Sequence, residues 1–322
     1  MDIIAKTSLA TPRDAHLIRE QGYRLSAGVY VKPSAETAPG CLFNRARAAL
    51  LVAPPGSMIC GISALCLTGI MVPFELLPLA DGPVELLVPR QAGRFPKRPE
   101  VKVHRTDFPP PIWQGSPEGV ALAHPAYCWR QVVCQLVGSS LWVPSSSGGL
   151  YPGLFEAPDK RAFLQAIQLG DALVARSQGI IGLDEFAANL TSVPGGPGSQ
   201  IAVKLFAWVR ARTDSPRETF ARLIVIDLGF PEPEVNPKVL VDGRSFYLDG
   251  GWIEEKIDLE YHGRGHFDDP RVAEGDVYRR RALLSANWVV IEVTNSDLYR
   301  PQAFAASLGA AFAAARRRAG LI

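Results

Sequence analysis

The order of periodic patterns along these 322 residues predicts an α/β fold of the mixed, α+β kind, with a central mixed sheet flanked by helices in the last third. Three observations carry this. Asp242-Gly243 separates two strand-like runs, 239–241 and 245–249, and such a pair between alternating runs is the strongest short-range hairpin signal, placing Asp249 at the end of the second strand. Ile257, Leu259 and Tyr261 alternate with Asp258, Glu260 and His262, a period of two that puts the polar three on one strand face. Helical periods bracket these segments, and an apolar strand at 288–293 follows the second of them. With 47% apolar residues the chain can bury a sizeable core, and its length predicts roughly two or three domains.

Taken in order, residues 12–32 read as a short helix ended by Gly22, then an extended Gly-Val-Tyr-Val. An apolar-striped helix at 45–53 leads through Pro54-Pro55-Gly56 to a buried helix expected over 59–67. The uncharged run 58–74 is near membrane length, but Gly61, Gly69 and Pro73 interrupt it and Glu75 ends it, so it reads as interior rather than spanning. A hairpin is expected from Val84 to Arg105, with Arg90, Arg94, Lys97, Arg98, Lys102 and Arg105 making the densest basic patch of the chain. Helices follow at 127–136, 163–177 and 183–190, and a Ser-, Gly- and Pro-rich stretch after the first of them reads as a surface loop. The Gly-Pro-rich stretch 192–199 is the expected domain linker. Beyond it come a helix over 201–212 and another opened by Ser215, Pro216 and Glu218, a capping box. A helix over 270–286 carries Arg279, Arg280 and Arg281 on more than one face, and a final helix over 301–318 ends in three arginines that suit its negative C-terminal dipole.

Composition narrows the function classes. A formal charge of +2 is almost neutral, and from Gln200 onward 17 basic residues face 17 acidic ones, so any nucleic-acid contact must come from a local face. The five cysteines form no C-x-x-C pair and read as thiols of a reducing cytoplasm. The start, Met1-Asp2-Ile3-Ile4-Ala5-Lys6, lacks the long apolar region of a secretory signal.

Chemistry concentrates at 248–266. Asp249 and Glu260 on neighbouring strands can meet, and two convergent carboxylates make a hard-oxygen site for Mg²⁺ or Mn²⁺, which activates water and stabilises charge on a phosphoryl oxygen. His266 adds a general acid or base.

Asp249, Trp252, Glu260 and His266 stand at the spacing D-x10-E-x-x-G-x-x-H, preceded by a helix with early Glu218 and followed by a basic helix and the strand Asn-Trp-Val-Val-Ile-Glu-Val-Thr. This third of the chain resembles the Vsr-like branch of the PD-(D/E)XK nuclease superfamily, most closely the branch called domain of unknown function 559. The resemblance implies a restriction-endonuclease-like domain over 200–322, with Asp249 and Glu260 as metal ligands and His266 serving the attacking water or leaving oxygen. Glu218 and His262 would assist, and Arg264, Arg279, Arg280 and Arg281 would face phosphate. Outside the resemblance, Arg94, Lys97 and Arg98 of the basic patch are candidates for nucleic-acid contact by their charge alone. Two positions depart from the family pattern, His262 where an Asp is common and Glu292 where an Arg is frequent, and Tyr261 and His262 follow Glu260 where the wider superfamily has its lysine. Residues 41–195 resemble the abortive-infection antitoxin (AbiEi-like) proteins, and 1–40 resemble a truncated part of their winged-helix segment.

The expected activity is metal-dependent hydrolysis of phosphodiester bonds, in DNA first, in a toxin–antitoxin or phage-defence setting. The expected protein is cytoplasmic, with no membrane contact and with room for a homodimer or a partner protein. The rival expectation is a non-catalytic DNA-binding regulator on a decayed nuclease fold, which His262 and Glu292 favour; a protein-binding scaffold is the third.

Overall fold

A computed structural model describes residues 3–5, 23–26, 29–31, 41–137, 158–195, 199–261 and 270–320, and shows mixed helices and sheets. The chain clusters into two compact units, Met1–Ser139 with Ile180–Phe206, and Ser140–Gly179 with Ala207–Ile322. The expected linker at 192–199 thus lies within the first unit, between two of its helices. Among the described residues no helix is long and apolar enough to cross a membrane.

The first unit opens with an antiparallel sheet of β1 (Ile3–Ala5), β2 (Tyr23–Ser26) and β3 (Val29–Val31), in the order β1-β3-β2. The helix expected before Gly22 lies outside the described residues. After α1 (Leu42–Leu51) come β4 (Met58–Ile59), α2 (Gly61–Leu67), α3 (Leu77–Asp81), β5 (Val84–Pro89) and β6 (Val101–Thr106). Ile59 therefore belongs to a strand rather than to the helix expected there. Strands β5 and β6 are not the expected hairpin: they pair in parallel, Val84 opposite Val101, because residues 90–100 carry the chain back to the start of β5. Val84 to Val88 are all buried, the continuous burial of a strand covered on both faces. Helix α4 (Pro125–Val137) fills the interior behind this sheet with a fully buried Trp129. Helix α5 (Pro158–Leu173) belongs to the second unit, while α6 (Leu183–Leu190) and α7 (Ser199–Phe206) return to the first. There Phe186 meets the Trp129 ring edge-on at 5.1 Å and the Phe206 ring at 4.9 Å.

Helix α7 stops at Phe206, short of the expected Arg212. The Arg210 amide donates to Asp171 Oδ1 at 2.7 Å, outside any helical ladder, and Arg212 has a φ of 75°.

In the second unit, α8 (Pro216–Asp227) and α9 (Pro270–Ser285) frame the strands β7 (Glu234–Val235), β10 (Gly250–Trp252) and β11 (Ile257–Tyr261), with an antiparallel ribbon inserted between β7 and β10, and β12 (Val289–Val293) follows α9. The sheet runs β7-β10-β11-β12, antiparallel except for β11 with β12. Helix α9 supplies the connection that a parallel pair needs. The expected hairpin forms as a separate ribbon, β8 (Lys238–Val241) and β9 (Arg244–Tyr247), with Asp242 at φ 48° and Gly243 at φ 75° in the turn. Its Val239 and Val241 pack with Leu248, Leu283 and Trp288. Helices α10 (Asn295–Tyr299) and α11 (Gln302–Arg318) close the unit, with Phe312 of α11 against Trp252 at 5.0 Å.

Candidate active site

Asp249 does not end the second hairpin strand: β9 stops at Tyr247, and Asp249 sits at the corner just before β10. The register that pairs Gly250 with Leu259 and Gly251 with Asp258 brings this corner beside Glu260, as the alternation of the sequence implies. The corner is fastened there, since the Tyr261 amide donates to Asp249 Oδ2 at 2.9 Å.

From the other side, α8 contributes Glu218. Ser215 caps this helix and accepts from the Glu218 amide at 3.2 Å, while the Glu218 carboxylate accepts from the Asp214 amide at 3.0 Å, one residue earlier than a standard capping box. Capping leaves Glu218 beside Asp249, and burial, then the charge of Asp249, pushes its carboxyl up to about 7.

Asp258 and Glu260 share a face of β11, and both are buried. Burial, then Glu260 through its charge and a shared hydrogen bond, pushes Asp258 up to about 9, and both Asp258 oxygens are sealed from solvent. Burial and Asp249 raise Glu260 as well, against the pull of Arg279. Arg279 of α9 reaches in with both terminal nitrogens, at 2.9 Å and 2.5 Å from the two Glu260 oxygens, and also donates to the Tyr247 carbonyl. Four carboxyl groups thus share one electrostatic neighbourhood, and the Arg279 guanidinium is bound to one of them.

Between Glu218 and Asp249 lies a cavity of about 20 Å³, lined also by Thr213, Arg222, Glu234 and Tyr261. That is room for about one water-sized sphere. Thr213 Oγ1 is buried on its wall without a hydrogen-bond partner. Arg222 is held by other acids, Asp171 at 3.0 Å and Glu232 at 2.8 Å.

Oxygen donors of this kind suit a hard divalent cation, and the buried Thr213 hydroxyl is a polar atom with capacity to spare. Among the described residues, no three His, Cys, Asp or Glu side chains enclose an ion as they stand. Glu260 is turned to Arg279 and Asp249 to the Tyr261 amide.

The other expected site residues disperse. His262, Arg264 and His266 lie outside the described residues. Arg279 points into the acidic cluster rather than outward to phosphate, Arg280 pairs with Glu292, and Arg281 is exposed. In the first unit Arg94 and Lys97 are exposed and Arg98 stands over the Phe95 ring at 5.8 Å. Asp258 and Thr213 were not among the expected site residues. The alternation Asp258, Glu260 was the available sign for the first; nothing local marks the second. A scan against models of known protein families and a search of curated proteins both find no match to this chain.

Proposed function

We propose that the second unit is a metal-dependent nuclease of the Vsr-like, restriction-endonuclease-like type, hydrolysing phosphodiester bonds in nucleic acid, DNA first. What supports the reading most is the meeting of Glu218, Asp249, Asp258 and Glu260 from one helix, one corner and one strand, beside a space of about one water. Asp249 and Glu260 would hold Mg²⁺ or Mn²⁺, with Asp258 behind them. When bound, such an ion neutralises phosphoryl charge and makes a water more acidic. Glu218, at about 7, is matched to take a proton from water near neutral pH. The attacking oxygen joins phosphorus, the bond to the leaving oxygen breaks, and that oxygen receives a proton, the task the resemblance gives to His266. The antitoxin-like first unit would fit a toxin–antitoxin or phage-defence setting.

A second reading, a DNA-binding regulator on a decayed nuclease fold, is favoured by one observation: Arg279 occupies both oxygens of Glu260, while Glu292 pairs with Arg280. Incubating the full chain with single- and double-stranded DNA and RNA, with Mn²⁺, Mg²⁺ or chelator, separates the two. Cleavage that needs the ion and disappears in Asp249→Asn is expected. Binding without cleavage under every ion condition would favour the regulator.

A further inference from the structure

The first unit contains a cavity of about 550 Å³, within the usual size range of small-molecule sites, walled in part by His104, Phe108, Tyr127, Arg130, Cys134 and Val193. Arg130, on α4, is only 6% exposed. Its Nη1 donates to the carbonyls of Leu190 and Val193, at 3.0 and 2.8 Å, and its guanidinium lies over the Tyr127 ring at 5.1 Å. Among the described residues no carboxylate pairs with it, and burial pulls its pKa down. A buried guanidinium facing only carbonyls and a ring is a cation short of its counter-charge.

His104 stands in the same wall. Its Nε2 faces Glu85 at 3.6 Å, a carboxylate that also accepts from Lys102 at 2.7 Å and Gln135 at 3.1 Å, so this nitrogen is engaged away from Arg130. The cavity therefore offers one buried cation without a carboxylate partner, with Arg105 and Asp107 also on its wall and Tyr127, Phe108 and Val193 as apolar surface.

We propose that this cavity binds a small organic oxyanion, a phosphate ester or carboxylate on a flat apolar body. The head group sits at Arg130, and the body lies against Phe108. This site is separate from the carboxylate cluster of the second unit and does not depend on the nuclease reading.

Cys134 lines the cavity and is half-buried, which gives a direct readout in the intact chain. Alkylation by N-ethylmaleimide, mapped by peptide mass, is compared with and without phenyl phosphate, benzoate and neutral phenol. Phenyl phosphate at ten times its dissociation constant is expected to slow modification of Cys134 by about tenfold, with Cys41 and Cys66 unaffected. Benzoate is expected to protect and phenol not. Arg130→Gln keeps donors for the two carbonyls without the charge, and is expected to abolish protection. No protection by either anion, equal protection by phenol, or undiminished protection in a folded Arg130→Gln chain would each overturn the proposal.

Discussion

Asp258 has both carboxyl oxygens sealed from solvent beside Glu260, and burial and that neighbour hold its carboxyl up at about 9. A folded-state pKa above the ordinary carboxylate range means that the folded chain keeps this proton longer than the unfolded one. Stability from this group is therefore greatest below the ordinary range and declines as pH rises toward 9. Asp258→Asn, neutral at every pH, is expected to melt higher than the parent at pH 9 and to flatten this slope, as thermal melts across pH would record. Glu85 of the first unit has the opposite sign. Burial pushes it up, but His104 and Lys102 outweigh that and hold it at about 2, while the Ile62 amide also donates to it at 3.1 Å. Its stabilisation is complete above about pH 4.5 and is lost as pH falls toward 2, a contribution on the order of 3 kcal/mol. Glu85→Gln is expected to remove most of the acid sensitivity between those limits, followed by urea unfolding at each pH.

Among elements, the pairing of α9 with β11 through Arg279 and Glu260 is the contact that distinguishes a closed cluster from an open one. Arg279→Met leaves Glu260 buried without its cation, and the expected loss is about 3 kcal/mol, with much of it recovered in the double variant with Glu260→Gln. A double-mutant cycle by urea unfolding checks this; a loss that Glu260→Gln does not relieve would place Arg279's role elsewhere. In the hairpin turn, Gly243 at φ 75° predicts a loss of about 1 kcal/mol for Gly243→Ala. That turn was legible in the sequence because its chemistry is local: two adjacent residues must accept positive φ, and Asp-Gly does. The capping of α8 by Ser215 was legible for the same reason. Strands β5 and β6 were recognisable as strands, but antiparallel and parallel partners look alike along the chain, so their pairing was not. Of the site, Asp249 beside Glu260 followed from alternation and spacing. The inward turn of Arg279 did not, because a basic residue on a helix carries no sign of which acid it will meet.

At the scale of the whole molecule, equal numbers of basic and acidic residues from Gln200 onward leave no broad positive field to gather nucleic acid. The proposed hydrolysis in the second unit therefore rests on what its carboxylates hold. If they hold a divalent ion, binding must displace protons from Glu218 and Asp258, whose carboxyls are raised, and must compete with Arg279 for Glu260. The direct measurement is calorimetric titration of Mn²⁺ into the full chain at pH 7, in two buffers of different ionisation heat, beside the Asp249→Asn variant. The account predicts saturable binding of one ion per chain, heat that differs between buffers through proton release, and loss of both in Asp249→Asn. No saturable heat at millimolar Mn²⁺, or the same binding in the variant, would contradict it.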